Sequence, residues 1–209
     1  MFAPDVLVAY LAAVLVIVAA PGPDNILLLG RALSQGRLAG AVSAAGSALG
    51  IMVHSVAAAL GLTLIVQTSP LAFWIVKLAG AAYLVWLGIQ ALRSRSFISF
   101  APASQAPLRR VFAQGLFTNV LNPKVGLFVV AFMPQFVEVS RDALVAQLLV
   151  LGAIYAIATL VIFTVLGAFA APLARGLAHS TRAVAGLNIG AGLVFVGAGL
   201  SILTLENRK

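Results

Sequence analysis

"VAAPGPDNILLLGR" (residues 18–31) sets two prolines, a glycine, an acid and an asparagine into an apolar run that begins near Val6. Pro21 and Pro23 lack the N–H groups that would bond the carbonyls of Ile17 and Ala19, and a residue before proline, here Ala20 and Gly22, is pushed out of the α region. A helix cannot run straight through. A second half-helix can start at once, with Gly22 near the cap and Pro23 at the first position, where a missing N–H costs nothing. The stretch reads as a broken helix, and the rest of the chain identifies its medium.

Of the 209 residues, 62% are hydrophobic and 9% charged, and the mean hydropathy is +1.11, far outside the range of a soluble domain. Apolar runs long enough to cross about 30 Å of hydrocarbon as helix fall at about 6–30, 39–66, 70–92, 111–136, 143–173 and 183–205. The expectation is an all-α polytopic membrane protein with six transmembrane helices. What remains between the runs is too short for a soluble catalytic or nucleic-acid-binding domain, so no nucleic-acid partner is expected. The first run ends in "VAA", as a signal peptide does, but no Lys or Arg precedes it and Asp5 does, so it is read as the first span. Cysteine is absent, which excludes a thiol relay, a thiolate metal site and disulfides.

The formal charge is +8, and its distribution is informative. Arg31, Arg37, Arg93, Arg95, Arg109, Arg110, Arg175 and Arg182 fall in the loops after spans one, three and five. The opposite side holds Arg141, Arg208 and Lys209 with Asp5, Glu138, Asp142 and Glu206. By the positive-inside rule both termini face outward and the arginine-bearing loops face the cytoplasm.

Spans one to three occupy residues 1–93, a cytoplasmic linker rich in proline and serine residues 94–110, and spans four to six residues 111–209. Three spans per half is odd, so the second half enters the membrane in the opposite direction, the topology of two inverted three-helix repeats. The first span of each half carries a proline break: helix 1 at "PGPDN" and helix 4 at "TNVLNPKVG" (118–126). In the second, Asn122 suits the cap, Pro123 the first position, and Lys124 falls in the first turn. Non-helical backbone at membrane depth survives only in protein or beside a wet cavity, and paired discontinuous helices point to a transporter binding site. The alternative is a pair of kinks used only for packing.

Three fully charged side chains lie within the spans: Asp24, Lys77 and Lys124. Such residues are functional candidates by default. Asp24, the sole intramembrane acid, can take a proton, a substrate ammonium or Lys124. Lys124 sits at the amino end of a half-helix, where free N–H groups already favour an anion. The two outline a receptor for a zwitterion, with Asn25 and Asn119 beside the breaks. Lys77 lies about 10 Å from the outward end at Pro70 and can snorkel to the interface. His54 is a lone histidine, read as packed or water-bonded, with proton handling as the alternative. Tyr83, Trp86, Tyr155 and Asn188 line a cavity or serve packing. Gly46 with Gly50, and Gly186 with Gly190, have the spacing that lets helices approach closely, within the bundle or across a homodimer.

These residues resemble the LysE/RhtB family of amino acid exporters. The likeness rests on "APGPDN" (20–25), "KLAGAAYLVWLGIQAL" (77–92) and "FAQGLFTNVLNPKVGLFVVAFMPQF" (112–136), and it covers the chain end to end in span count and motif order. It implies a small secondary carrier, driven by the proton motive force, that exports amino acids or close derivatives across a bacterial inner membrane. It carries functional roles to Pro21, Gly22, Pro23 and Asp24, to Lys77, Gly80, Tyr83 and Gly88, and to Asn122, Pro123 and Lys124, all but the two glycines of the middle motif being expected to bind substrate. Two intramembrane lysines against one acid give no reason to expect a dicationic substrate, and a neutral amino acid such as threonine or homoserine is favoured. No cofactor is expected and no Walker A motif is present. An intramembrane enzyme would need paired acids or clustered histidines, and His54 and His179 are dispersed. An ion transporter would want several carboxylates or histidines at depth.

Overall fold

The computed structural model describes residues 2–20, 22–93, 104–137, 143–170 and, in the last apolar run, 185–186, 189–190, 192–193, 196–197 and 199–200. Every regular element among them is helical: α1 (Pro4–Ala19), α2 (Pro23–Gln35), α3 (Arg37–Thr68), α4 (Pro70–Arg93), α5 (Leu108–Val120), α6 (Pro123–Leu127) and α7 (Leu144–Ala168). The α6 helix continues through a π-helical turn, Phe128–Phe132, and a 3-10 turn, Met133–Phe136.

Both proline breaks are real bends. The α1–α2 pair is bent by 60° and the path from α5 to the end of the 3-10 turn by 51°. Arg37–Gly61 of α3 and Leu144–Ala168 of α7 are unbroken helices long and apolar enough to cross a membrane, and counting each bent pair as one span brings the total to four. In the third expected run, the described side chains give the shorter apolar helix Leu78–Gln90 within α4. The described residues thus make a multi-pass helical membrane protein with up to four candidate spans, and most of the sixth expected run lies outside them. The ends also differ from the expected limits: α2 runs on to Gln35, which places Arg31 on a helix instead of in a loop.

The α3 helix is the axis, packed along both α5 and α7. Lipid tails are as apolar as leucine, so helices associate in a bilayer through close packing and polar bonds, and small residues on α3 supply the closeness. A Cβ at Gly46 would clash with the Phe112 carbonyl and stand 2.8 Å from the Leu116 nitrogen, and one at Gly50 would stand 2.7 Å from Cβ and Oδ1 of Asn119. Gly115 answers from α5 against the Ser43 backbone, and Gly152 from α7 against Ser55. The Gly46/Gly50 pair therefore packs inside the bundle. On α4, Gly80 admits Ala131 of the π-helical turn, and Gly88 faces Gly192 and Val196 of the last apolar run.

An aromatic cluster fills the centre: Tyr10 lies edge-on to Phe136 at 5.1 Å, Phe128 edge-on to Tyr155 at 5.2 Å, and Phe132 5.0 Å from Phe128. The buried Tyr10 hydroxyl donates to the Leu151 carbonyl at 2.9 Å and so ties α1 to α7. Large apolar side chains such as Val8, Leu15, Leu60, Ile157 and Val161 point outward, as a lipid-facing surface requires.

Candidate functional site

Where α1 stops, its last carbonyls need donors that the prolines do not provide. The Val16 carbonyl accepts from the Ala20 N–H at 2.9 Å. The Ile17 carbonyl, whose helical partner would be Pro21, accepts from Lys124 Nζ at 3.1 Å, and the Ala20 carbonyl from the same Nζ at 2.8 Å. The Val18 carbonyl accepts from Asn25 Nδ2 at 3.0 Å. Lys124 thus brings a cation to the C-terminal end of α1, where the helix dipole favours one. Gly22, in extended backbone, makes room for it, since a Cβ there would stand 3.0 Å from Lys124 Nζ.

The second break is closed from the first in turn. Asn122 caps α6, its Oδ1 accepting from the Lys124 N–H at 3.0 Å, with Pro123 at the first helical position. The Asn122 Nδ2 donates to Asp24 Oδ2 at 2.8 Å, and Asn119 Nδ2 donates to the same oxygen at 3.0 Å. Asp24 sits in the first turn of α2 and is 3% exposed. Each charge is held by neutral groups across the gap between the breaks, and each acts electrostatically on the other.

Three buried acceptor oxygens in this cluster have no donor: Asp24 Oδ1, Asn25 Oδ1 and Asn119 Oδ1. Unsatisfied acceptors around a carboxylate favour a donor-rich cation or a proton over an anion. Among the described residues no group of three or more His, Cys, Asp and Glu side chains could hold a metal ion.

Gly22, Asp24, Asn25, Asn119, Asn122, Pro123 and Lys124 therefore meet at one place. Pro21 lies outside the described residues, as do the Lys77 side chain, Asn188 and His179. Tyr83 is half-buried on α4 and stacks at 5.3 Å on Trp86. Tyr155 packs on Phe128 in the aromatic cluster.

Two groups near the breaks were not among the site residues expected from sequence. His54 Nε2 lies 3.2 Å from the Asn119 carbonyl, so its partner is the backbone of the second break. Arg31, counted as a loop charge, is 4% exposed. Its guanidinium donates to Gln35 Oε1, to the Ser104 carbonyl and to Gln114 Oε1, while Gln35 bonds both the N–H and the carbonyl of Ala106. Its burial is tolerable because three oxygens surround it. The available signal was helical spacing: Asp24, Leu28, Arg31 and Gln35 share one face once α2 is extended to its true end.

The chain is 35% identical over 157 residues to a homoserine/homoserine lactone efflux protein of Salmonella typhi, covering 75% of this chain and 76% of that one. It is 34% identical over 202 residues to an uncharacterized membrane protein of Vibrio cholerae, covering 95% and 96%. It is 26% identical over 200 residues to a leucine efflux protein of Salmonella choleraesuis, covering 95% and 94%. No solved structure matches it. The family model for the LysE type translocator matches residues 15–206, and the chain belongs to that family.

Proposed function

We propose that the chain is a secondary carrier that exports a neutral amino acid or a close derivative across the bacterial inner membrane by proton antiport. Its residues 1–93 and 111–209 would form two inverted three-helix repeats, joined by the cytoplasmic linker 94–110, with both termini outside. The observation that carries this reading is Asp24: one carboxylate oxygen is fixed by Asn119 and Asn122, and the other is buried without a donor. A substrate ammonium and a proton can each occupy that free oxygen, but not together, which is the condition for exchange. Lys124 has three N–H donors and gives two to α1. The third is assigned to a substrate carboxylate.

The relatives' names support the ammonium as the shared handle. Leucine and homoserine carry both an α-ammonium and a carboxylate, whereas homoserine lactone keeps the ammonium and has its carboxylate tied up as an ester. A site built on Asp24 accommodates all three, and one built on Lys124 alone does not.

The test is efflux of an amino acid panel from preloaded cells expressing the chain or its Asp24→Asn variant, with and without an uncoupler. Export of one class that is abolished by the uncoupler and by the variant is expected. Export that survives Asp24→Asn at the wild-type rate removes the assignment.

A further inference from the structure

We infer that His54 is a positioning residue for Asp24, acting through Asn119. The inference rests on Asp24 as the working carboxylate of the proposed carrier. Asn119 is the joint between the two: its side-chain amide donates to Asp24 Oδ2 at 3.0 Å, and its main-chain carbonyl meets His54 Nε2 at 3.2 Å. That carbonyl loses its α-helical partner at the second break, which would be the missing N–H of Pro123. The Asn122 N–H reaches it at 2.9 Å, and His54 supplies the remaining donor. To donate to a carbonyl, Nε2 must carry a hydrogen.

The surroundings fit a residue held for this purpose. A Cβ at Gly126 would stand 3.1 Å from His54 Cε1, so a glycine on α6 admits the imidazole. On the other side, Gly50 brings α3 against the Asn119 side chain. Gly50 and His54 are four residues apart and so share a face of α3. One contacts the side chain of Asn119 and the other its backbone, which together fix the direction of its Cα–Cβ bond. Among the described residues Asp24 is bonded by Asn119 from α5 and Asn122 from the second break, while Lys124 from the second break, His54 from α3 and Tyr155 from α7 act on it at electrostatic range. Asp24 needs an aligned amide to hold Oδ2 while Oδ1 exchanges its occupant, and His54 keeps that amide aligned.

The experiment measures the rate at which dicyclohexylcarbodiimide labels Asp24 in the purified full-length protein, read by peptide mass spectrometry. It needs no substrate. A chain that exports nothing from the panel would remove the carrier reading and leave this test intact. In His54→Leu, which keeps the bulk and loses the donor, labelling is expected to accelerate about tenfold, the weight of one hydrogen bond to a charged group. His54→Gln, which keeps an N–H donor without an imidazole, restores the wild-type rate. Asn119→Ala labels fast, and adding His54→Leu changes nothing further. Gly126→Ala, which presses on the ring, accelerates labelling by a smaller factor and serves if His54→Leu fails to fold. Wild-type labelling in folded His54→Leu would reduce His54 to packing. Equal acceleration in His54→Gln would transfer its role to imidazole titration. A further increase in the double variant would break the route through Asn119. Any of these three results overturns the inference.

Discussion

Along the α3–α5 seam a contact that serves packing alone, at Gly46, lies one helical turn from one that also holds the site, at Gly50. An alanine Cβ at Gly46 meets backbone, the Leu116 nitrogen at 2.8 Å and the Phe112 carbonyl closer still. To restore an ordinary contact near 3.4 Å at the closer carbonyl the two helices must part by more than about 1 Å, and tight packing gives no slack for that. Gly46→Ala is therefore expected to cost about 1–3 kcal/mol of stability, in the range of overpacked cores. At Gly50 the obstacle is Asn119, with Cβ and Oδ1 both at 2.7 Å; the amide can rotate away, but Cβ is carried by the backbone, so α5 must give here as well. A shift of about 0.7 Å suffices, and it stretches the 3.0 Å bond to Asp24 beyond hydrogen-bond length. Gly50→Ala should then lose about tenfold in transport and also cost about 1–3 kcal/mol of stability, as Gly46→Ala does. Gly61→Ala, with nothing within 4 Å, is the neutral control. The assays are thermal unfolding in detergent and counterflow of the exported amino acid in proteoliposomes. Full transport in Gly50→Ala, or a Gly46→Ala protein as stable as Gly61→Ala, would refute the reasoning.

Lys124→Met strips the Ile17 and Ala20 carbonyls of their donor and should destabilise the protein by about 1–3 kcal/mol per orphaned group; adding Asp24→Asn should recover part of the loss by removing the unpaired charge, as thermal unfolding of both variants will show. Arg31→Ala frees the segment before α5, so a cysteine at Ser104 is expected to react with thiol reagents in detergent several-fold faster in that background. In intact cells, single cysteines at Ser34, Ser104 and Ser180 should resist impermeant thiol reagents while one at Ser140 reacts; the reverse pattern would invert the proposed orientation.

The helix breaks were legible because proline's missing N–H is a covalent fact that acts on the residues four and one before it, wherever the chain goes. The cap at Asn122 was legible for a similar reason, since its acceptor and the N–H it serves are two residues apart. Arg31 was not, because its meaning turns on a helix end: with a span closed at residue 30 it is a loop charge, and with α2 closed at Gln35 it lies two turns below Asp24 on the same face. His54 was opaque for a different reason. Its partner is a main-chain carbonyl 65 residues away, and a carbonyl has no letter in a sequence. Lys124 falls between the two cases. Its place beside a helix start was visible, but not that its ammonium would turn back to serve the end of another helix.

That exchange explains why the breaks come as a pair. Taken alone, the first break would leave the carbonyls of Ile17 and Ala20 without donors, at a cost of about 1–3 kcal/mol each. Asn25, within that break, serves Val18, and Lys124 from the second break serves the other two. Taken alone, the second break would bury a lysine and two asparagine amides without acceptors, and the first break supplies Asp24 and the α1 carbonyls. Neither is stable in hydrocarbon without the other, so proline variants in the two breaks should be strongly non-additive. Replacing Pro21 and Pro23 by alanine to restore a continuous first helix would return the Ile17 carbonyl to its own helix and leave Lys124 buried without a partner. Such a variant should therefore be less stable than the broken protein in thermal unfolding, although each substitution improves the local helix. A rise in stability would mean that the breaks are independent kinks.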